Sequence, residues 1–222
     1  TARLYEDLGL LTADPELAAN AAALFNELTG GIPSPPQGRL LVAPHDMRER
    51  FTALIRREAK HAGAGRPCGI RAKMNQLQDV QMIRELYLAS QAGVPMRLNV
   101  RGLCCLRAGV PRLSETIQVY STLGRFLEHG RIYRFENGGE PEYFIGSADW
   151  MTRNLSRRME AITPISDPRI QAELEEILAV YESDNCSAWD MQPDGTYVRR
   201  RPAPGEPCHG AQQVFIERYR AL

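Results

Sequence analysis

Apolar positions along the chain fall into two alternating rhythms. Leu17, Ala21, Leu24, Phe25 and Leu28 recur at helical spacing. Asp14-Pro15 in front of them supplies a cap and a first-turn proline, and Gly30-Gly31 closes the helix. Ile32 to Gly38 reads as a proline-rich linker. From Arg39 the rhythm becomes strand, helix, strand. Leu40 to Ala43 is a short buried strand, and Asp46 caps a helix with Met47, Phe51, Leu54 and Ile55 on one face. Gly69 to Asn75 reads as a strand. Asp79 caps a second helix carrying Val80, Ile83, Leu86 and Tyr87, which stops at Gly93, and Val94 to Val100 is a third strand.

The second half keeps its strands but loses most of its helices. Residues 102–114 form a loop, and Ile117 to Ser121 a strand. Ile132–Phe135 and Tyr143–Ser147 are strands joined by Asn137-Gly138-Gly139-Glu140-Pro141, a strong turn signal. Arg157 to Ile165 is a further strand. Asp167-Pro168 opens a helix with Ile170, Leu174, Ile177, Leu178 and Tyr181. Beyond residue 186 come a short strand at Thr196–Val198, a segment rich in Pro, Gly and Arg, and a last helical piece. This region is expected to be the least ordered, with Arg199 to Arg201 a solvated tail. Strands alternating with helices predict an α/β fold with a mostly parallel, helix-covered sheet. Ligands of such sheets bind beyond the carboxyl ends of the strands. Asn75 and Arg101 both fall at such ends, which makes Lys73, Asn75 and Arg101 candidates for one shared mouth.

A length of 222 residues allows one large domain, or one with a piece of another. With 27 basic and 27 acidic residues the net charge is zero, which argues against the broadly basic face of a sequence-independent nucleic-acid binder. No apolar run approaches the ~20 residues of a spanning helix, and none reads as a signal peptide. The five cysteines (68, 104, 105, 186, 208) are odd in number, lack metal-like spacing, and read as free thiols of a reducing compartment. His45, His61 and His209 read as surface residues. The opening Thr1-Ala2-Arg3-Leu4-Tyr5 lacks the look of a protein start, so the chain is read as a piece of something longer.

Charge is unevenly spread. Between Arg97 and Arg134 stand seven arginines (97, 101, 107, 112, 125, 131, 134) and two acids, Glu115 and Glu128, with His129 among them. The planar guanidinium fork grips phosphate bidentately, so this stretch points to phosphate chemistry.

Several literal runs carry a resemblance. They are the residues from Thr1 through Asp14, Lys73-Met74-Asn75, Gly93-Val94-Pro95, Arg101-Gly102-Leu103-Cys104-Cys105-Leu106, Phe126-Leu127-Glu128-His129, and Ser147-Ala148-Asp149-Trp150-Met151-Thr152-Arg153-Asn154. In this order they resemble the C-terminal catalytic part of the bacterial polyphosphate kinase family, from about residue 1 to 185. The resemblance implies a phospholipase-D-like α/β fold, a mixed sheet covered by helices. Residues 1–38 would be the tail of a first such domain with its linker, and residues 39–222 the second domain. The His-x-Lys element of that fold would be His129-x-Arg131, and its Gly-Ser-x-Asn element Gly146-Ser147-Ala148-Asp149. Arg for Lys and Asp for Asn depart from the pattern and count against phospholipase-type diester hydrolysis.

The resemblance further implies reversible transfer of the terminal phosphate of ATP to inorganic polyphosphate through a phosphohistidine. That histidine would lie upstream of Thr1. Tyr5, Arg101 and His129 match the family's nucleotide contacts. In this scheme Arg101 grips a phosphate, His129 donates a proton or hydrogen-bonds to phosphate oxygens, and Tyr5 packs on the nucleotide or hydrogen-bonds to a phosphate. Arg107, Arg131 and Arg153 are candidates for the polyphosphate path, and Asp149 for supporting a neighbouring Arg or His. Mg²⁺ is implied, with ligands outside this chain. ATP, ADP, polyphosphate, the rest of the parent chain and further copies of it are the implied partners, in the cytoplasm, with or without membrane association. Two other readings stay open. One is an ATP- or polyphosphate-binding fragment without turnover, and the other a phospholipase-D-type phosphodiesterase.

Overall fold

The computed structural model describes residues 4–30 and 38–220. The proline-rich linker therefore lies almost wholly outside the described residues, as do Thr1 to Arg3. The elements in chain order are β1 (Tyr5–Glu6), α1 (Pro15–Leu28), β2 (Leu41–Ala43), α2 (Met47–Gly63), β3 (Ile70–Met74), α3 (Val80–Gln91), β4 (Met96–Val100), β5 (Ile117–Thr122), β6 (Leu127–Glu128), β7 (Ile132–Phe135), β8 (Glu142–Gly146), α4 (Thr152–Ser156), β9 (Glu160–Ile165), α5 (Pro168–Ser183), β10 (Ala188–Met191), β11 (Tyr197–Arg199) and α6 (Ala211–Arg220).

Nine strands form one sheet in the order β11-β10-β5-β4-β3-β7-β8-β9-β2. Only β3–β4 and β4–β5 pair in parallel, so the sheet is mixed, and the expectation of a mostly parallel sheet is corrected. The reason lies in the connections. Helix α3 carries the chain back between β3 and β4, and the crossover of residues 101–116 does so between β4 and β5, as parallel pairing requires. From β7 to β8 a tight turn returns it directly, with Asn137, Gly138 and Gly139 all at positive φ.

One face of the sheet packs on α2 and α3. Phe51, Tyr133 and Trp150 form the centre of this core, with Phe51–Trp150 edge to face at 5.5 Å and Tyr133–Trp150 stacked at 5.0 Å. The other face takes α5, whose Leu174 and Leu178 meet Ile132, Tyr143, Ile145 and Ile165. Across β4, β3 and β7, Arg97, Arg71 and Arg134 stand side by side as register partners. Glu175 and Glu182 of α5 close on this row. Arg71 pairs with both, Arg97 with Glu182 at 3.4 Å, and Arg134 with Glu175 at 3.1 Å.

The caps follow the sequence with one exception. Asp14, Asp79 and Asp167 each accept backbone N–H bonds at their helix starts. Asp46 does not cap α2; its carboxylate accepts from Val42 N at 2.9 Å and ties β2 to the helix instead. Helix α1 lies on the domain through Leu17 and polar bonds. Asp14 pairs with Arg39 at 2.7 Å and Glu27 with His45 at 2.9 Å, while Phe25 and Leu28 stay exposed. Docking of its whole apolar face is thus not what holds it.

Three expectations about the rest fail. His61 is buried, its ring against Gly138. The segment past 186 is built into the fold: β10 extends the sheet from β5, and Arg200 is held by Asp190, by the carbonyls of Glu182 and Asp184, and over the Tyr120 ring. Cys186 and Cys208 form a disulfide with Cα atoms 5.8 Å apart, leaving Cys68, Cys104 and Cys105 as thiols.

Candidate functional site

The parallel strands β3, β4 and β5 all end at one edge of the sheet. Lys73 is the register partner of Ile132, and Ile132 of Ile145, so β7 begins and β8 ends at that same edge. The chain segments just outside it are therefore Asn75, Arg101, Leu123, His129 to Arg131 and Ser147 to Asp149. This explains why residues from five separated stretches meet at this edge.

His129 follows β6, which pairs in parallel with β1 to form a separate two-strand ribbon. Its N–H donates to the Glu6 carbonyl at 2.7 Å. Its ring lies 4.6 Å from that of Tyr5, tilted by 39°. Tyr5 is half exposed (47%), so one face of this aromatic pair is open. Arg131 Nη1 donates to the His129 carbonyl at 2.8 Å and lies 3.3 Å from its Nδ1. Arg131 in turn holds Asp149, with Nε to Oδ1 at 3.2 Å and Nη2 to Oδ2 at 3.3 Å. The two motif elements thus meet as an ion pair. Burial, and then the positive charges of Arg131 and Arg101, hold the His129 imidazole below its ordinary titration range. A neutral imidazole between two guanidiniums can accept a proton or charge as an anion arrives.

Arg101 sits at the end of β4, its N–H on the Met74 carbonyl at 3.1 Å and its own carbonyl bonded by the Ser121 hydroxyl at 2.8 Å. Its Nη1 is buried and has no hydrogen-bond partner among the described residues. Such a group is costly to leave unpaired. The structure therefore brings Tyr5, Arg101 and His129 to one mouth.

Lys73 and Asn75 lie behind them, 5% and 4% exposed. Lys73 Nζ donates to the Gly130 carbonyl at 3.0 Å, and Asn75 N–H to Asp149 at 2.7 Å, so both brace the loops of the mouth. Arg107 is drawn off to the Pro193 carbonyl, and Arg153 is exposed on α4. The arginine-rich stretch is consequently not one patch. Arg97 and Arg134 are neutralised on the α5 side, and Arg101 and Arg131 face the mouth. Beneath His129, Glu6 and Glu128 share the inner face of the ribbon with Lys73, a cluster that no local sequence signal announces. Burial, then the hydrogen bond and charge of Glu128, raise Glu6 to about 8.

The protein-family model described as "Polyphosphate kinase C-terminal domain 2" matches residues 40–212. Polyphosphate kinase from Thermosynechococcus vestitus is 56% identical over 218 residues, which is 98% of this chain and 30% of that protein. The one from Streptomyces coelicolor is 48% identical over 218 residues, covering 98% and 29%. The chain thus spans about 30% of the length of these curated relatives. Among solved structures, polyphosphate kinase from Porphyromonas gingivalis matches at a TM-score of 0.94 and 38% identity, over 100% of this chain and 34% of that one. A phospholipase D family member, Nuc from Salmonella typhimurium, lies at 0.46 and 13% over 72% of this chain, too far to support an argument.

Proposed function

The chain belongs to the polyphosphate kinase family, and from that premise we propose that it carries one half of a phosphoryl-transfer site. The parent protein would move the terminal phosphate of ATP reversibly onto inorganic polyphosphate. The attacking histidine would lie in the part of the protein outside this chain, with residues 1–38 as the tail of the domain that holds it. The observation that supports this most is the partnerless Nη1 of Arg101 at the same mouth as the Tyr5–His129 ring pair.

Phosphoryl transfer asks a protein mainly for positioning and for charge placed where the transferring group becomes negative. Arg101 supplies a fixed guanidinium for a phosphate oxygen. His129, neutral at rest, takes up a proton from solvent as the anion binds and donates it, or a hydrogen bond, to a phosphate oxygen on the side opposite the upstream nucleophile. Tyr5 offers its open face or hydroxyl to the nucleotide. Arg131 carries a second positive charge, but Asp149 holds its fork and its remaining nitrogen donates to the His129 carbonyl, so it acts on phosphate through its field.

The Mg²⁺ that such chemistry uses finds no donor set at this mouth. Asp149 is engaged by Arg131, and no cluster of three ligating side chains occurs among the described residues.

The test uses the whole protein with γ-labelled ATP and Mg²⁺. Acid-labile, base-stable protein phosphate and labelled polymer are expected, both reduced at least about 100-fold by Arg101→Ala and by His129→Ala. Full turnover in both variants would overturn the assignment. Label on His129 itself would place the nucleophile in this chain.

A further inference from the structure

His129 stands on a ribbon only two residues wide in each strand, so something behind the ribbon must fix it. Side chains alternate across a strand. Tyr5 and His129 point to the mouth, and Glu6 and Glu128 point inward, to a cavity of about 370 Å³ between the ribbon, α5 and α6. On that inner face two buried side chains grip the backbone on either side of His129.

The first is Gln212 in the first turn of α6, 9% exposed. Its Oε1 accepts from Phe126 N at 2.9 Å, and its Nε2 donates to the Phe126 carbonyl and to Glu128 Oε1, each at 2.9 Å. Both ends of the amide are used, so its orientation is fixed. The close approach depends on Gly124, where an added Cβ would collide with Gln212 Oε1. The second is Lys73, which donates to the Gly130 carbonyl at 3.0 Å and lies 3.3 Å from Glu128 Oε2. Residues 126, 128 and 130 are thereby held from inside, and residue 129 between them faces out. Helix α6 is itself anchored, since Ala211 N donates to Asp184 Oδ2 at 2.8 Å.

We propose that Gln212, together with Lys73, is a positioning residue that fixes the His129 imidazole against Tyr5 and the two arginines by clamping the backbone of residues 126–130. Neither side chain touches the imidazole; each acts through the ribbon. The last helix of the chain thus sets the geometry of the mouth. The inference rests on the reading of His129 as a phosphate-facing group.

The test is a pair of measurements by NMR on this chain, for the wild type, Gln212→Ala and Gly124→Ala. In both variants the His129 titration midpoint is expected to move up toward the unperturbed ~6.5 as the ring leaves the arginines. The amides of Phe126 and His129 are expected to exchange at least about tenfold faster, while those of β3 and β4 keep their protection. Gly124→Ala displaces the amide without emptying a buried site, so it decides the matter if Gln212→Ala fails to fold. An unchanged titration midpoint and unchanged exchange at 126–130 would overturn the proposal. Failure of the phosphoryl-transfer reading would appear differently, as full transfer by His129→Ala in the whole protein, and would leave these spectra untouched.

Discussion

Arg131 lies flat against Asp149, both nitrogens of its fork within 3.3 Å of the carboxylate, and turns its third nitrogen to the His129 ring. The side chains are 12% and 6% exposed, so the pair is nearly out of water. Removing one partner of such a pair strands the other charge. Asp149→Asn is expected to lower unfolding free energy by about 3 kcal/mol. Arg131→Met combined with Asp149→Asn should restore part of it, because the stranded cation is gone. Urea unfolding of the wild type and the two variants reads both effects, and an unshifted midpoint for Asp149→Asn alone would contradict the account.

The Glu6–Glu128 pair makes the ribbon pH-sensitive. Glu6 is raised to about 8, so the stability it contributes is complete below the unfolded value of 4.5 and is lost as pH rises through about 8. Glu128 is lowered, by the Glu6 hydrogen bond and then the Lys73 charge against an opposing burial cost, so its contribution is lost as pH falls below 4.5. Lys73 from β3, Tyr181 from α5, Gln212 from α6 and neighbouring Asp7 are the other polar groups facing the pair. The ribbon should therefore be firmest near pH 4.5 and loosen progressively toward pH 8. Exchange of the His129 amide is expected to accelerate, beyond the intrinsic rise, between pH 5 and 8 and to follow the intrinsic rise alone above that, and Glu6→Gln should flatten the step.

The lowered His129 has the opposite stability sign. Its contribution is present above the unfolded ~6.5 and lost as pH falls through the lower folded value. An anion at the mouth reverses this by favouring the imidazolium. Tripolyphosphate should therefore bind this chain more tightly as pH drops from 8 to 5.5. Calorimetric titration across that range measures it, and His129→Ala should remove most of the slope. A slope unchanged in that variant would assign the proton uptake elsewhere.

Gly146 opens the Gly-Ser-x-Asp element for a steric reason. A Cβ there would run into the Ala161 carbonyl oxygen and lie 2.8 Å from the Ile162 Cα, both backbone atoms of the paired strand β9. Gly146→Ala is expected to cost about 1–3 kcal/mol. Thermal unfolding of the variant checks it, and a melting temperature equal to the wild type would show that β9 yields freely.

Local pattern determined much of this protein. Asp14, Asp79 and Asp167 mark real helix starts, because a cap needs only its own next turn. The strand ends at Lys73, Asn75 and Arg101 were legible for the same reason, and literal runs of residues pointed to the family and to Tyr5, Arg101 and His129. Tertiary structure alone decided the rest, since charge and partnership depend on which residues the sheet places side by side. Arg97 and Arg134 count with Arg101 and Arg131 along the chain, yet strand alternation and register turn them to the glutamates of α5. The burial of His61, the Cys186–Cys208 bridge, and the grip of Gln212 on Glu128 across 84 residues leave no local trace. Each joins groups distant in sequence, and only the packed fold supplies the burial and proximity that make those contacts.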